Sequence, residues 1–535
     1  MSTATTANVT SPTANSFWSP FKSKIFLVIW LAAFFSDLGM WMQGVGASWI
    51  ITRQTASPLY ISLMVTATSL PMFLLGIPAG ALADIFNKRK ILLLTQSWMF
   101  IMALILAVFG FLNYTPPLLM LVLSFLLALG PAINETVWQA IVPGLVPPAR
   151  LSSAITLNGV SINLSRAIGP ALGGLIISFY APEYIFIVNA VCFLGTLLAV
   201  YFWSGMPANE TLQTERFVSA MRIGLNYVRY ATQLHPVLIR SVTFAIGASA
   251  LWGLLPLIII QKLHQTAGIY GAMLFSLGGG AIISAIILPS INSVLNIDQK
   301  LLIAVLLVGA NLLILHFFSN NYLLFAGLFF AGIGWLMAMS SFNVAIQTNV
   351  PAWVLSRAIS VYLLLFQGGM ALGGIIWGTI ASRMGIQYAI FLAFGWMAAS
   401  LLLAIPYALK NISIGSFTPA AKINTLVPAL EITESDGPVL VWIDYEVSQE
   451  NIQQFTTAAL LLKNLRMRNG AMQVGVFQNI TSPTIITEFF IVESWSQYLL
   501  QIQRYTTDDI AIEEAVLKYH SGNTQPAKRV MISQI

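Results

Sequence analysis

The chain has 535 residues, of which 57% are hydrophobic and 8% charged, with 25 Lys plus Arg against 19 Asp plus Glu. Soluble domains carry about 25% charged residues, so a water-soluble fold is excluded for most of the length. A mean hydropathy of +0.80 excludes disorder as well, because disordered chains pair low hydrophobicity with high net charge. What remains is a helical chain that crosses a membrane many times.

Residues 1–24 are rich in Ser, Thr, Asn and Pro and lack the apolar stretch of a secretory signal. They read as a disordered cytoplasmic N-terminus, with the first membrane helix as its own uncleaved signal. Apolar runs follow at 25–52, 58–82, 90–112, 117–141, 153–180 and 184–203, then at 237–261, 269–290, 301–318, 322–346, 358–381 and 387–409. Each suits a crossing of about 20 residues. The pattern predicts an all-α polytopic protein with an N-terminal six-helix half (25–203), a cytoplasmic connector (204–236) and a C-terminal six-helix half (237–410). The connector holds Glu210, Glu215, Arg216, Arg222 and Arg229, and its segment FVSAMRIGLNYVRY predicts an amphipathic helix along the membrane surface.

Charge sorts by side. With the N-terminus inside, about thirteen Lys and Arg up to Lys410 fall in inner segments, against Arg53, Lys262 and Arg383 outside. Both termini are therefore expected in the cytoplasm. An internal repeat relates the halves: Val146-Pro147 matches Val350-Pro351, and Ala171-Leu172-Gly173-Gly174 matches Ala371-Leu372-Gly373-Gly374. Two six-helix halves related in parallel place a binding site between them near the midplane.

Composition changes after Lys410. Residues 411–535 hold 8 Lys plus Arg and 12 Asp plus Glu, a net −4, leaving +10 for the rest. A linker (411–437) with Pro419 and Pro428 precedes a soluble α+β domain (438–535) in the order βαββαβ, the ferredoxin-like split pattern. Its second helix is expected to run unbroken through SQYLLQIQRYTTDDIAIEEAVLKYH. The tail shows no evident cluster of titratable residues; Tyr445, Trp442, Trp495 and His520 are its only candidates for chemistry, and core packing explains them better.

Other chemistry finds little support. Cys192, the single cysteine, allows no intramolecular disulfide and no thiolate metal site. His235, His264, His316 and His520 lack metal-ligand spacing. There is no phosphate loop for direct ATP drive and no nucleophile elbow. No catalytic residue, cofactor, metal or nucleic-acid partner is expected.

Two motifs stand at helix ends and seams. Between the second and third spans, Gly80 is followed by Asp84 and then by Lys88, Arg89 and Lys90. In the fifth span, Arg166 precedes Gly169-Pro170-Ala171-Leu172-Gly173-Gly174, where Pro170 removes a backbone hydrogen bond and the glycines permit close helix approach. The first resembles the signature loop of the major facilitator superfamily, G-x-x-x-D-R-x-G-R-K. Ile85 replaces its Arg and Asn87 its Gly, a position where Asn tolerates the left-handed turn. The second resembles the superfamily's antiporter signature. A closer resemblance is to the bacterial transmembrane secretion effectors, relatives of the enterobactin exporter. It rests on Leu38-Gly39-x-Trp41-Met42-Gln43, Ser57-Pro58-Leu59, Thr66-Ala67-Thr68-Ser69-Leu70-Pro71, Pro78-Ala79-Gly80-Ala81-Leu82-Ala83-Asp84 and Trp138-Gln139-Ala140-Ile141-Val142-Pro143. The tail is similar to the dimeric α+β fold of antibiotic-biosynthesis monooxygenases, a likeness that carries no activity with it.

The resemblance implies a multi-pass transporter of the bacterial inner membrane that exports a small molecule (drug, siderophore or metabolite) by proton antiport with alternating access. Asp84 would anchor the cytoplasmic gate, with Gly80, Lys88 and Arg89. Its expected partners are the substrate, protons and the lipid bilayer, and the C-terminal domain is a candidate for dimerisation. Uptake by proton symport, and a monooxygenase-like activity of the tail, are the alternatives.

Ionisable groups inside spans give the sharpest reading from residues alone, since each costs at least about 2.5–3.5 kcal/mol at a helix centre. Asp37, Glu135 and Arg166 qualify, and in this fold their helices flank the central cavity. They are candidates for proton coupling; a static Glu135–Arg166 ion pair is the structural alternative. Trp41, Gln43, Asn134, Trp138, Gln139, Asn163, Phe342, Asn343, Gln347 and Gln367 are candidates to line the cavity by stacking and hydrogen bonding.

Overall fold

A computed structural model describes residues 18–55, 57–147, 150–205, 217–292, 294–351, 353–409 and 428–534. The N-terminal segment up to residue 17, the acidic part of the connector and most of the linker lie outside the described residues. Among those described, twelve helices are long and apolar enough to cross a membrane. They are α1 (Lys24–Gln54), α2 (Pro58–Ile85), α3 (Lys88–Phe111), α4 (Pro117–Leu145), α5 (Leu151–Phe179), α6 (Glu183–Phe202) and, after the shorter α7 (Phe217–Tyr230), α8 (His235–Leu257), α9 (Ala267–Ile291), α10 (Ile297–Phe317), α11 (Asn321–Thr348), α12 (Leu355–Met384) and α13 (Ile386–Ser400). A bilayer core has no water for backbone groups, so apolar runs of this length satisfy themselves as helices. At 20 residues α6 reaches about 30 Å, one hydrocarbon thickness.

The ends follow from local chemistry. Pro58 and Pro117 occupy first-turn positions, where a missing N–H costs nothing. Asn296 and Gln299 form a capping box on α10. The turn before α3 differs from the sequence expectation: Asn87 has φ −60° and ψ 114°, an extended conformation. Its side chain accepts from the Lys90 N–H at 3.2 Å. Asn stands there as a helix cap, so no left-handed turn is needed.

The chain divides into two compact units. The first comprises Met1–Leu212, Val242–Met339 and Leu363–Leu402. Here α1 packs on α5 and α6, α3 on α4 and α6, α2 on α4, α5 on α9, and α10 on α13. Phe26, Leu92, Val137, Ile141, Leu157 and Val200 form a buried cluster that ties five of these helices.

The repeated Gly-Gly pairs perform the same two tasks in both halves. A methyl on Gly173 would lie 3.1 Å from the Met42 carbonyl of α1, and one on Gly373 2.6 Å from the Ile246 carbonyl of α8. These are contacts inside each half. Gly174 instead meets Gly271 of α9, and a methyl on Gly374 would come within 2.8 Å of the Ser62 carbonyl of α2. Those contacts join one half to the other. Thr66 adds a hydrogen bond at the second crossing, donating to the Ala371 carbonyl at 2.7 Å.

The second unit gathers Gln213–Ser241, Ser340–Tyr362 and Leu403–Ile535. Its sheet consists of β1 (Val439–Glu446), β2 (Gln473–Gln478), β3 (Ile485–Val492) and β4 (Ala527–Ile532), accompanied by α14 (Ile452–Arg468), α15 (Trp495–Gln503) and α16 (Thr507–Leu517). Strand order is β2-β3-β1-β4 with every pair antiparallel, the arrangement of a split βαβ unit. Alternate residues of β1, from Val439 to Tyr445, are buried with Phe455, Leu462, Phe490 and Tyr498. The expected single second helix is broken in two, because Thr506 and Asp509 form a capping box that starts α16 afresh. The amphipathic helix α7 is present and packs against α14.

Candidate functional site

Asp37 lies on α1, Glu135 on α4 and Arg166 on α5. Because α1 packs against both α4 and α5, the three charges lie close enough to act on one another. Asp37 stands in the fields of Glu135 and Arg166, and Glu135 in that of Arg166. Gln139, one turn along α4, donates to Glu135 Oε1 at 3.2 Å. The Arg166 guanidinium lies 5.4 Å from the ring centroid of Trp41, one turn beyond Asp37. Gly169, one turn from Arg166, sets this depth: a methyl there would sit 2.5 Å from Trp41 Cβ and 3.1 Å from the Leu38 carbonyl. Pro170 is buried inside the same helix. One cation thus lies in the electrostatic reach of two acids.

Rings continue away from this cluster. Trp41 is 6.0 Å from Trp252 of α8, which meets Trp335 of α11 edge-on at 5.5 Å, and Trp335 contacts Phe366 of α12 at 6.1 Å. Such offset and edge contacts suit planar groups. Sequence reasoning found Trp41 and missed Trp252 and Trp335. The signal available was their depth, since tryptophan favours the membrane interfaces and these two stand mid-span.

The remaining polar candidates scatter. Asn189 of α6 donates to Gln43, and Thr95 of α3 donates to Asn134 at 3.1 Å. Trp138 packs against the buried cluster around Val137. Asn343 and Gln367 are half-buried on α11 and α12, Gln347 is exposed and Phe342 is buried against Tyr362. The side chain of Asn163 lies outside the description. In the loop motif, Gly80 and Asp84 stand on the last turns of α2, with side chains also outside it, and Lys88 opens α3. Arg89 donates to the Val200 carbonyl at 3.3 Å and to that of Tyr201. It thereby caps the negative end of α6.

The tail does hold a titratable cluster, contrary to the sequence reading. Arg466, 4% exposed, binds Glu488 Oε1 at 2.8 Å and Glu513 Oε1 at 2.6 Å. Tyr445 donates to Glu488 Oε2 at 3.0 Å and Tyr505 to Glu513 Oε1 at 2.8 Å. Burial pushes the Tyr445 hydroxyl up, the Glu488 charge pushes it further, and Arg466 pulls it back. His520 accepts from the Glu446 N–H at Nδ1 (3.0 Å), which leaves Nε2 to donate to the Thr524 carbonyl at 2.8 Å. Tyr445 and His520 therefore serve the fold. The spacing of Arg466 from its partners, 22 and 47 residues, hid the cluster from any local pattern.

Comparison with known proteins agrees with this architecture. The family described as transmembrane secretion effector matches residues 15–535. The staphyloferrin A transporter of Staphylococcus aureus is 23% identical over 357 residues, 66% of this chain and 89% of that protein. The enterobactin exporter EntS of Citrobacter koseri is 25% identical over 387 residues, 71% of this chain and 91% of that protein. The crystal structure of the nucleoside transporter NupG superposes with a TM-score of 0.58 at 13% identity, covering 72% of this chain and 98% of its own.

Proposed function

Because the chain belongs to the transmembrane secretion effector family of the major facilitator superfamily, we propose that it exports a small organic molecule by proton antiport with alternating access. The observation that supports this reading is the electrostatic coupling of Asp37, Glu135 and Arg166, with Arg166 over the Trp41 ring. A proton on Asp37 or Glu135 removes a negative charge from the surroundings of Arg166; its release restores the attraction. Binding and release of the proton thereby alter the same guanidinium and ring that a substrate would touch. Relatives named for staphyloferrin A and enterobactin make siderophores the first substrate class to test.

The other assignments follow the same reading. Asp84, with Gly80, Lys88 and Arg89, forms the cytoplasmic gate, and Gly169, Pro170, Gly173 and Gly174 form the seam on which the halves move. Sorting of Lys and Arg supports cytoplasmic termini in a bacterial inner membrane. Residues 438–535 form a soluble domain with a regulatory or dimerising role. In support, the sheet face carrying Trp442, Phe489 and Phe477 is stacked ring on ring at 6.5 and 5.5 Å, and Phe477 is 60% exposed.

The test is transport by the full chain in proteoliposomes under an imposed pH gradient, with ferric-free siderophores as trial substrates. Asp37→Asn and Glu135→Gln should each lower gradient-driven flux by roughly tenfold or more while substrate exchange without a gradient persists. Full coupling in both variants would overturn the assignment, and accumulation in right-side-out rather than everted vesicles would overturn export.

A further inference from the structure

Two halves that alternate in access need a contact that closes the path between them, and one face of α1 supplies it. Trp30, Phe34, Asp37, Trp41, Gly44 and Ser48 recur every three or four residues, the period of a single helix face. All are half-buried, while Leu38, Met42 and Val45 beside them are buried. This face looks toward the second half, because Trp41 lies 6.0 Å from Trp252 of α8. Open space follows along α1: a methyl on Gly44, one turn beyond Trp41, would meet no atom within 4 Å among the described residues. Further on the halves are tightly joined. Trp49 stacks on Tyr270 of α9 at 5.8 Å and 16°, the two being 6% and 4% exposed, and the backbone of the adjacent Gly271 meets Gly174.

The other side of the Trp41–Trp252 pair is open. Ser23, just before α1, donates to the carbonyl of Leu145 at the end of α4 at 3.2 Å, so the two helices run in opposite directions and Gln139 stands on the Lys24 side of the pair. Gln139 is exposed. The pair itself is lightly held. Trp252 meets Trp335 edge-on, yet the buried Nε1 atoms of both lack a hydrogen-bond partner among the described residues. Donors left dry are costly, which favours any movement that wets them. The backbone beneath is fixed by contrast: a methyl on Gly253 would lie 3.3 Å from Ser62 Cα of α2. The ring of Trp252 is therefore free to swing where its helix is not.

We infer that the Trp41–Trp252 pair is the gate between the halves, and that Arg166, with its guanidinium 5.4 Å from the Trp41 ring, positions Trp41 for closure. Closed, the pair separates the Gln139 side from the space at Gly44. Swung apart, it joins them, and the substrate passes between the two rings. The gate rests on the alternating access proposed above and not on protons as its driver.

Labelling of single cysteines in membrane vesicles tests this on the full chain. With Cys192→Ser as background, Gln139→Cys should react readily with a charged, impermeant maleimide from one face of the membrane, which fixes the face used for the rest. Gly44→Cys should react slowly from that face. Trp252→Ala or Trp41→Ala should each speed Gly44→Cys labelling by about tenfold, the factor that one aromatic pair is worth. An unchanged rate at Gln139→Cys checks the fold of each variant, and Trp252→Phe, which keeps a ring, should stay near the parent. Arg166→Gln should speed the labelling as well, whereas Arg166→Lys, which keeps a cation over the ring, should retain the slow rate. Fast labelling of Gly44→Cys in the parent, or equal rates with and without either tryptophan, overturns the gate; an equal rate in Arg166→Gln overturns its hold on Trp41. Transport without proton coupling, with these labelling rates as expected, would refute proton antiport and leave the gate standing.

Discussion

Arg466 shows what a single side chain decides in the C-terminal region. Two carboxylates depend on it, and Glu488 is only 1% exposed. Removing one member of a buried pair leaves an uncompensated charge, at a cost of about 3–5 kcal/mol. Arg466→Met in the full chain should therefore open residues 439–532 selectively, seen as lost amide protection in β1 and β3 while the spans of the first unit keep theirs. Arg466→Met combined with Glu488→Leu should recover part of the loss. Sequence told nothing of this residue, since it reads as an ordinary basic residue in the last turn of a helix. Asp37, Glu135 and Arg166 were legible for the opposite reason: a charge inside an apolar run has no solvent to explain it. That they act on one another depends on how α1 lies against α4 and α5, which spacing along the chain does not encode.

At the scale of elements, the spans were readable almost to their ends, because length and apolarity alone force the helix in a bilayer. The expected βαββαβ order in the tail also corresponds to the sheet observed. Two features escaped. The capping box at Thr506 splits what periodicity joins, and the packing of α7 on α14 has no signal along the chain. The Gly-Gly pairs were visible as a repeat, but only the helix crossings divide their work into one contact within a half and one between halves. Gly174→Ala would place a methyl on the backbone of Gly271, where nothing flexible can yield. It should lower transport strongly, by roughly tenfold or more if α5 is pushed off α9, at normal expression. Gly44 on α1 has nothing within 4 Å of such a methyl, so Gly44→Ala should transport as the parent does. Equal losses in both would show that helix crossing at Gly174 does not limit the cycle.

At the scale of the whole molecule, the second unit draws on three separate stretches of chain, so the C-terminal region cannot be removed without uncovering its neighbours. Tyr227 of α7 is 1% exposed with Arg468 over its ring. A chain ended after Lys410 should still insert, since all twelve candidate spans precede that point, but trypsin should cut the connector at Arg222 and Arg229 faster than in the full chain. An unchanged cleavage rate would mean that α14 gives α7 no protection. The two crossings between halves lie on the same side of the first unit: Gly174 and Gly374 stand toward the C-terminal ends of α5 and α12, and Gly271 and Ser62 toward the N-terminal ends of α9 and α2. Two such points define a line, as the spine of a book does, and rotation about a spine moves the far margins most. The covers then part where α5 and α12 begin. In the orientation proposed from the sorting of positive charge, that margin faces the cytoplasm, the side from which the proposed exporter would load.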